Sequence, residues 1–297
     1  RDISKMHKET GPRVLVNITT PEKNYQRAEY LTMEEFTASK TACDVKIGKS
    51  YCKGDFPKYK IYGAAKGLEV DLTYRSLERG WVPGTGQIDY GNSGEDYWYW
   101  LVPVPQAEVT GLLIIDGKKV QVKGRGYHDH NAGNISMNDV MSHWYWGRIS
   151  FDDVTCIFAD IFCHPRYGFK KVMPFYLARD GEKLIGRNGF DFIMEDFETE
   201  PTFNVSYPKI LKLSVRDSPV KVEVDLRLEK VMAVDDMLPA IKDGDEEKVK
   251  QQAEYLKKFI RPSYFRFKGA VDLRIDGQSY KGETVYELMN LNRPINV

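Results

Sequence analysis

The sequence has no surplus of either charge. Its 43 lysines and arginines are balanced by 43 aspartates and glutamates, so it lacks the basic excess that recruits nucleic-acid backbones or anionic lipid, and nucleic acid is not an expected partner. It has no run of the roughly 18 uncharged apolar residues that a membrane-spanning helix needs. Cysteine is scarce. Cys43, Cys52, Cys156 and Cys163 form no CxxC pair and are too few for a disulfide framework in a chain of 297 residues. Free or buried thiols are expected, with a disulfide between Cys43 and Cys52 or between Cys156 and Cys163 left open. Also missing are GxxxxGK[ST], a GxGxxG that opens a helix, HExxH and GxSxG, which leaves nucleotide binding and the common hydrolase chemistries without a signature. The chain starts at Arg1, and its polar, basic beginning has no signal-peptide hydrophobic stretch. A soluble, cytoplasmic protein is the expectation, with a removed N-terminal targeting segment left open.

What is present points to β structure. Aromatics are abundant, with 18 Tyr, 14 Phe and 5 Trp, and such residues favour strands and can line an apolar pocket. Period-2 alternation recurs and is cleanest from Val220 to Leu228, where even positions are aliphatic and odd ones charged. Phe265–Ile275, Gly67–Leu77 and Val109–Val122 follow the same rule less strictly. Asp-Gly pairs at 116, 180 and 276 sit between such runs, and Asp-Gly supplies the positive φ angles of tight hairpins. Two segments break the pattern: Asp245 to Ile260 has helical spacing and an acidic first turn, and Met33 to Ser39 is a weaker helical candidate.

The two halves resemble each other. Gly111, the Asp116-Gly117 turn and Gly124 are echoed by Gly269, Asp276-Gly277 and Gly282, with Tyr127 and Asp129 answered by Tyr286 and Glu287. This predicts a degenerate duplication of one hairpin and hence an all-β protein of two antiparallel barrels with one added helix near 245–260. The expected boundary lies near Gly186 to Gly189, giving domains 1–187 and 188–297.

Four of the five histidines, His128, His130, His143 and His164, crowd into a short window. Imidazole is the usual acid/base group near neutral pH, and Asp129 is flanked by two of them. Three readings of the run Gly126 to Asn131 stay open: an acid/base site, a metal held by His128 and His130 with a third ligand, and a structural polar knot. Strand parity puts His128 and His130 on one face and Tyr127 and Asp129 on the other, unless a bulge at Gly124 or Gly126 reverses it. Asp96-Tyr-Trp-Tyr-Trp100 and His143-Trp-Tyr-Trp146 supply aromatic faces that pack on planar, unsaturated ligands and stabilise cations, or simply fill a core.

The run Gly124-Arg-Gly-Tyr-His-Asp-His-Asn131 followed by Gly133 resembles the hydroxyneurosporene synthase family, the carotenoid 1,2-hydratase-like proteins that include AttH domains and lipocalin-like Diels–Alderases. Val102-Pro-Val, Trp144-Tyr-Trp-Gly147 and Gly282 to Glu287 support it, over roughly residues 43 to 290. The resemblance implies two lipocalin-like barrels and a cofactor-free activity on an apolar substrate; Ala132, where the motif commonly has tryptophan, departs from it. The reading is a hydratase, cyclase or isomerase of an isoprenoid-like or polyene substrate. Asp129 is the expected general acid, His128 or His130 sets its protonation or positions water, and Tyr127 and Asn131 hold the geometry. Tyr97, Trp98, Tyr99, Trp144, Trp146 and Glu287 are the expected substrate-binding residues, and neither metal nor cofactor is assigned. The alternatives are a non-catalytic lipophile carrier and a pericyclase that folds a polyene.

Overall fold

The computed structural model describes residues 11–90, 95–237 and 262–291. Antiparallel β structure dominates them, in two lipocalin-like units. The chain divides into one compact unit of residues 1–81 and 102–130 and a second of residues 82–101 and 131–297.

In the first unit, the hairpin β1 (Arg13–Thr19) and β2 (Asn24–Tyr30) is a small sheet of its own. Val16 and Ile18 turn inward from it and pack on Ala65 and Leu68, with Leu113 and Ile115 alongside. The main sheet is a meander of β3 (Phe36–Ala38), β4 (Cys43–Ile47), β5 (Ser50–Asp55), β6 (Lys58–Ala65) and β7 (Leu68–Ser76). After β8 (Gln87–Tyr90), the long strands β9 (Asp96–Ile115) and β10 (Lys118–Gly133) complete the order β10-β9-β7-β6-β5-β4-β3, with β8 pairing the start of β9.

The second unit holds β11 (Met141–Ser150), β12 (Val154–Cys163), the short β13 (Lys171–Val172), β14 (Pro174–Arg179) and β15 (Glu182–Asn188). It continues through β16 (Asp191–Glu200), β17 (Val205–Val215), β18 (Val222–Asp236), β19 (Ser263–Ile275) and β20 (Gln278–Asn290). Their order is β15-β14-β12-β11-β20-β19-β18-β17-β16. Alternation decides which face is core. Val222, Val224 and Leu226 are buried with Phe265, Phe267, Val271, Leu273 and Ile275, while the intervening charged residues lie on the other face.

The turn chemistry works as the sequence implied. Asp116-Gly117, Asp180-Gly181 and Asp276-Gly277 all have both residues at positive φ, which suits the right-handed twist of the strands they join. Lys66-Gly67 makes the same kind of turn between β6 and β7, a hairpin not marked by an Asp-Gly pair. Gly111 and Gly269, the glycines matched between the halves, stand at different distances from their turns, five residues before Asp116 and seven before Asp276. A Cβ at either would run into the backbone oxygen of the adjacent strand, Asp71 O for Gly111 and Arg227 O, at 2.8 Å, for Gly269.

Other expectations need correcting. The division of the chain does not fall near 186–189, which lies between β15 and β16 of one sheet. β9 and β10 are long enough that each contributes residues to both units, so the cut passes through strands rather than through a linker. Of the helical candidate Met33 to Ser39, only a 3-10 turn Met33–Glu35 forms; Phe36–Ala38 pair instead with Val45–Ile47 as strand. The helix expected near 245–260 lies outside the described residues. Cys156 and Cys163 stand seven residues apart on one strand, β12, which at about 3.3 Å per residue puts them far beyond disulfide reach. Among the described residues no helix is long and apolar enough to cross a membrane.

Candidate active site and a thiol-imidazole cluster

The motif strand β10 settles its own parity. A Cβ on Gly126 would strike the ring of Tyr74 and the side chain of Val109, so the Gly126 face of β10 lies against them. His128 shares that face. Its ring nitrogen and the sulfurs of Cys43 and Cys52 lie within 4.8 Å of one another. Tyr127 and Asp129 project from the opposite face, where the Tyr127 hydroxyl donates to Asp129 Oδ2 at 3.2 Å. No parity reversal intervenes, and the carboxyl and the imidazole between which catalysis was divided stand on opposite sides of one strand.

Each group is tuned by its surroundings. Burial holds the His128 imidazole below its usual proton affinity; the charge of Asp129 acts the other way, and His130 adds to the depression. His128 is therefore a neutral ring near pH 7. His130 and Asn131 are exposed, so the metal pairing of His128 with His130 that the sequence left open is replaced by a grouping of His128 with two thiols. Cys43 and Cys52 sit on β4 and β5 with Sγ atoms 3.7 Å apart. Burial first, and the neighbouring Cys43 second, push the Cys52 thiol up to about 12.

The expected substrate-binding residues belong to the second unit. Tyr97 and Tyr99 lie on one face of β9, their rings in edge contact at 5.4 Å, and the Tyr99 hydroxyl donates to Gln87 Oε1. Trp98 points the other way, and its ring covers Gly133, where a Cβ would come within 2.5 Å of Trp98 Cε3. The end of the motif is held by Asn134, which accepts the Tyr97 N–H at 2.9 Å and donates to Glu95 O at 2.6 Å. Trp144 and Trp146 alternate with the core residues Tyr145 and Ile149 and so occupy the non-core face of β11. Register places Trp146 opposite Glu287. Glu287 accepts from Tyr264, whose oxygen in turn accepts from Arg266 at 2.9 Å. These residues thus form two groups, Tyr97 to Tyr99 on β9 and Trp144, Trp146 and Glu287 on β11 and β20. An open cleft of about 490 Å³ in the first unit, lined by Asp44, Lys53, Lys58, Tyr59, Lys60 and Thr73 among others, contains none of them.

Sequence reasoning missed two features. One is the approach of Cys43 and Cys52 to His128, for which nothing in the spacing is a signal, because the three meet only through the curl of the sheet. The other is Asp160, opposite Tyr145 in the interior of the second unit and only 2% exposed. Lys171 Nζ lies 3.3 Å from its Oδ2, while Oδ1 is buried without a hydrogen-bond partner among the described residues. Desolvation outweighs the lysine and raises the carboxyl above its ordinary range. The lone charge in the otherwise apolar stretch Val154–Cys163 was its signal.

The fold and the motif strand define a lipocalin-like β protein whose GYHDHN strand carries a tyrosine-supported carboxyl. Residues 82–184 match the family model described as carotenoid hydratase CrtC. A hydroxyneurosporene dehydrogenase of Chlorobaculum tepidum is 47% identical over 95 residues. That alignment spans 28% of this chain and 23% of the relative, so the chain matches under a quarter of that protein's length. The resemblance read from the motif is thereby found again, centred on the segment that contains it. Among solved structures, CghA with Sch210972 has a TM-score of 0.66 at 13% identity, covering 94% of this chain and 80% of that one. Kievitone hydratase from Nectria haematococca has a TM-score of 0.58 at 15% identity, covering 96% and 85%. At such identities the likeness is one of fold.

Proposed function

We propose that the chain is a hydratase or cyclase of an apolar, isoprenoid-like or polyene substrate, acting by acid catalysis without a cofactor. The observation that carries this reading is the Tyr127 hydroxyl on the Asp129 carboxyl, on a strand inside the segment that matches the carotenoid hydratase family model. Protonated Asp129 gives its proton to one carbon of an alkene, leaving a carbocation at the other. In hydration, water adds there and returns a proton to the carboxylate; in cyclisation, a second double bond attacks and a proton is lost to the same base. The Tyr127 phenol donates to Asp129 Oδ2 and holds the carboxyl in place for the proton transfer. His128 lies on the far face of β10, with Cys43 and Cys52, away from the Asp129 carboxyl. Tyr97, Trp98 and Tyr99 on β9 and Trp144 and Trp146 on β11 are assigned to substrate binding, with Glu287 and Asn131 as further polar positions.

The test is incubation of the purified chain with linear polyene isoprenoids, with products resolved by mass: hydration adds one water, and cyclisation leaves the mass unchanged. Asp129→Asn is expected to abolish product while retaining ligand, and Tyr127→Phe to slow turnover by about 10- to 100-fold. Full activity in Asp129→Asn overturns the acid mechanism and favours a pericyclase. A protein that only returns its lipid unchanged is a carrier.

A further inference from the structure

The cluster of Cys43, Cys52 and His128 plays no part in that chemistry, and its geometry is that of a metal site. In the strand order β10-β9-β7-β6-β5-β4, His128 sits on an edge strand and the thiols on strands four and five places away. Only the curl of the sheet brings them together. Register pairs Cys43 with Gly54 and Cys52 with Val45, which makes the cysteines diagonal neighbours on one face, the face that Gly126 and His128 meet.

The distances suit tetrahedral coordination. Two thiolates bound to one zinc at about 2.3 Å stand about 3.8 Å apart, and a thiolate and an imidazole nitrogen about 3.6 Å. The two sulfurs are already 3.7 Å apart. All three donor atoms lie within 4.8 Å of one another, so closing the remaining edges needs movements of roughly an ångström. The donors are also chemically matched, since two sulfurs and one imidazole select zinc or another thiophilic ion over magnesium or calcium. Thiolates and neutral imidazole are the ligating forms, so binding of the dication releases the thiol protons.

We infer that Cys43, Cys52 and His128 form a zinc site in the first unit, with three protein ligands and a fourth corner left to water. Occupancy ties β10 to the β4–β5 hairpin across the curled sheet. The ion thereby fixes the strand that carries Tyr127 and Asp129 on its other face.

The experiment uses the full chain, reduced and stripped of metal, and titrated with Co²⁺. The expected result is one equivalent bound, with a thiolate-to-cobalt charge-transfer band and intense tetrahedral d–d bands that Zn²⁺ displaces. Cys43→Ser, Cys52→Ser and His128→Ala should each weaken binding more than tenfold, with circular dichroism checking the fold, whereas His130→Ala should titrate like the parent. X-ray absorption of the zinc-loaded parent, expected to show sulfur at about 2.3 Å and nitrogen at about 2.0 Å, needs no variant to fold. Absence of the charge-transfer band, or its survival in a Cys43→Ser/Cys52→Ser variant, overturns the site. So does a Cys43–Cys52 disulfide in the unreduced protein combined with no metal uptake after reduction. Binding and turnover are read separately, so an inactive protein that takes up zinc refutes only the proposed function.

Discussion

Replacing Gly126 by alanine tests the packing that orients the motif. A Cβ at this position would lie 2.9 Å from Tyr74 Cδ1 and closer still to Tyr74 Cε1 and Val109 Cγ2. Carbon atoms in ordinary contact stand about 3.5–4.0 Å apart, so β10 or both neighbours must give by roughly an ångström. Tyr74 and Val109 belong to adjacent strands, β7 and β9, and are paired in register. Neither is the free end of a long flexible chain. Overpacking of this kind costs about 1–3 kcal/mol, which at roughly 4 °C per kcal/mol for a unit of this size lowers the melting temperature by about 4–12 °C. Thermal unfolding of the full chain followed by circular dichroism measures it. Val109→Ala removes one of the two obstacles, so the double variant should lose less than the sum of the single ones. The backbone shift should also displace Tyr127 and Asp129 and reduce turnover. A Gly126→Ala protein that melts within about 1 °C of the parent, with additive behaviour in the double variant, would refute the claim that this glycine sets the face of β10.

Other outcomes follow from the buried polar groups. Because desolvation raises the Asp160 carboxyl above its unfolded value, its protonated form favours the fold; that contribution is complete below the unfolded value and is lost as pH rises through the folded one. Asp160→Asn should therefore gain stability relative to the parent as pH rises above the ordinary carboxylate range, and parallel unfolding curves across that rise would contradict the assignment. Lys171→Met should cost about 1–2 kcal/mol at pH 7, discounted because the lysine is partly exposed, and little in acid, as chemical denaturation at the two pH values would show. The Tyr286 hydroxyl is buried without a hydrogen-bond partner among the described residues, so Tyr286→Phe should raise stability by up to about 1 kcal/mol, and a loss of that size would point to an unseen partner. Asp129→Asn and the zinc titration provide the functional tests already described.

The sequence by itself determined most of the local architecture. Alternation from Val220 to Leu228 and from Phe265 to Ile275 needs only a period of two to assign faces, and an Asp-Gly pair needs only its own φ preferences to make a hairpin. The GYHDHN run was legible for the same reason: its residues are contiguous, and strand parity separates Tyr127 and Asp129 from His128 before any fold is known. Whether a bulge would reverse that parity was not legible, because the answer depends on Tyr74 and Val109, which reach Gly126 from other strands. Met33 to Ser39 shows the limit of local preference, since pairing of Phe36–Ala38 with β4 overrides a weak helical pattern. The division into units was hidden because β9 and β10 carry the chain through both without any change in composition. Tertiary structure alone decided what meets across the curl of the sheet. Cys43 and Cys52 are neighbours on the β4–β5 hairpin, but His128 is far from both in the chain, and the three come within 4.8 Å only because a twisted sheet returns its edge strand toward strands several places away.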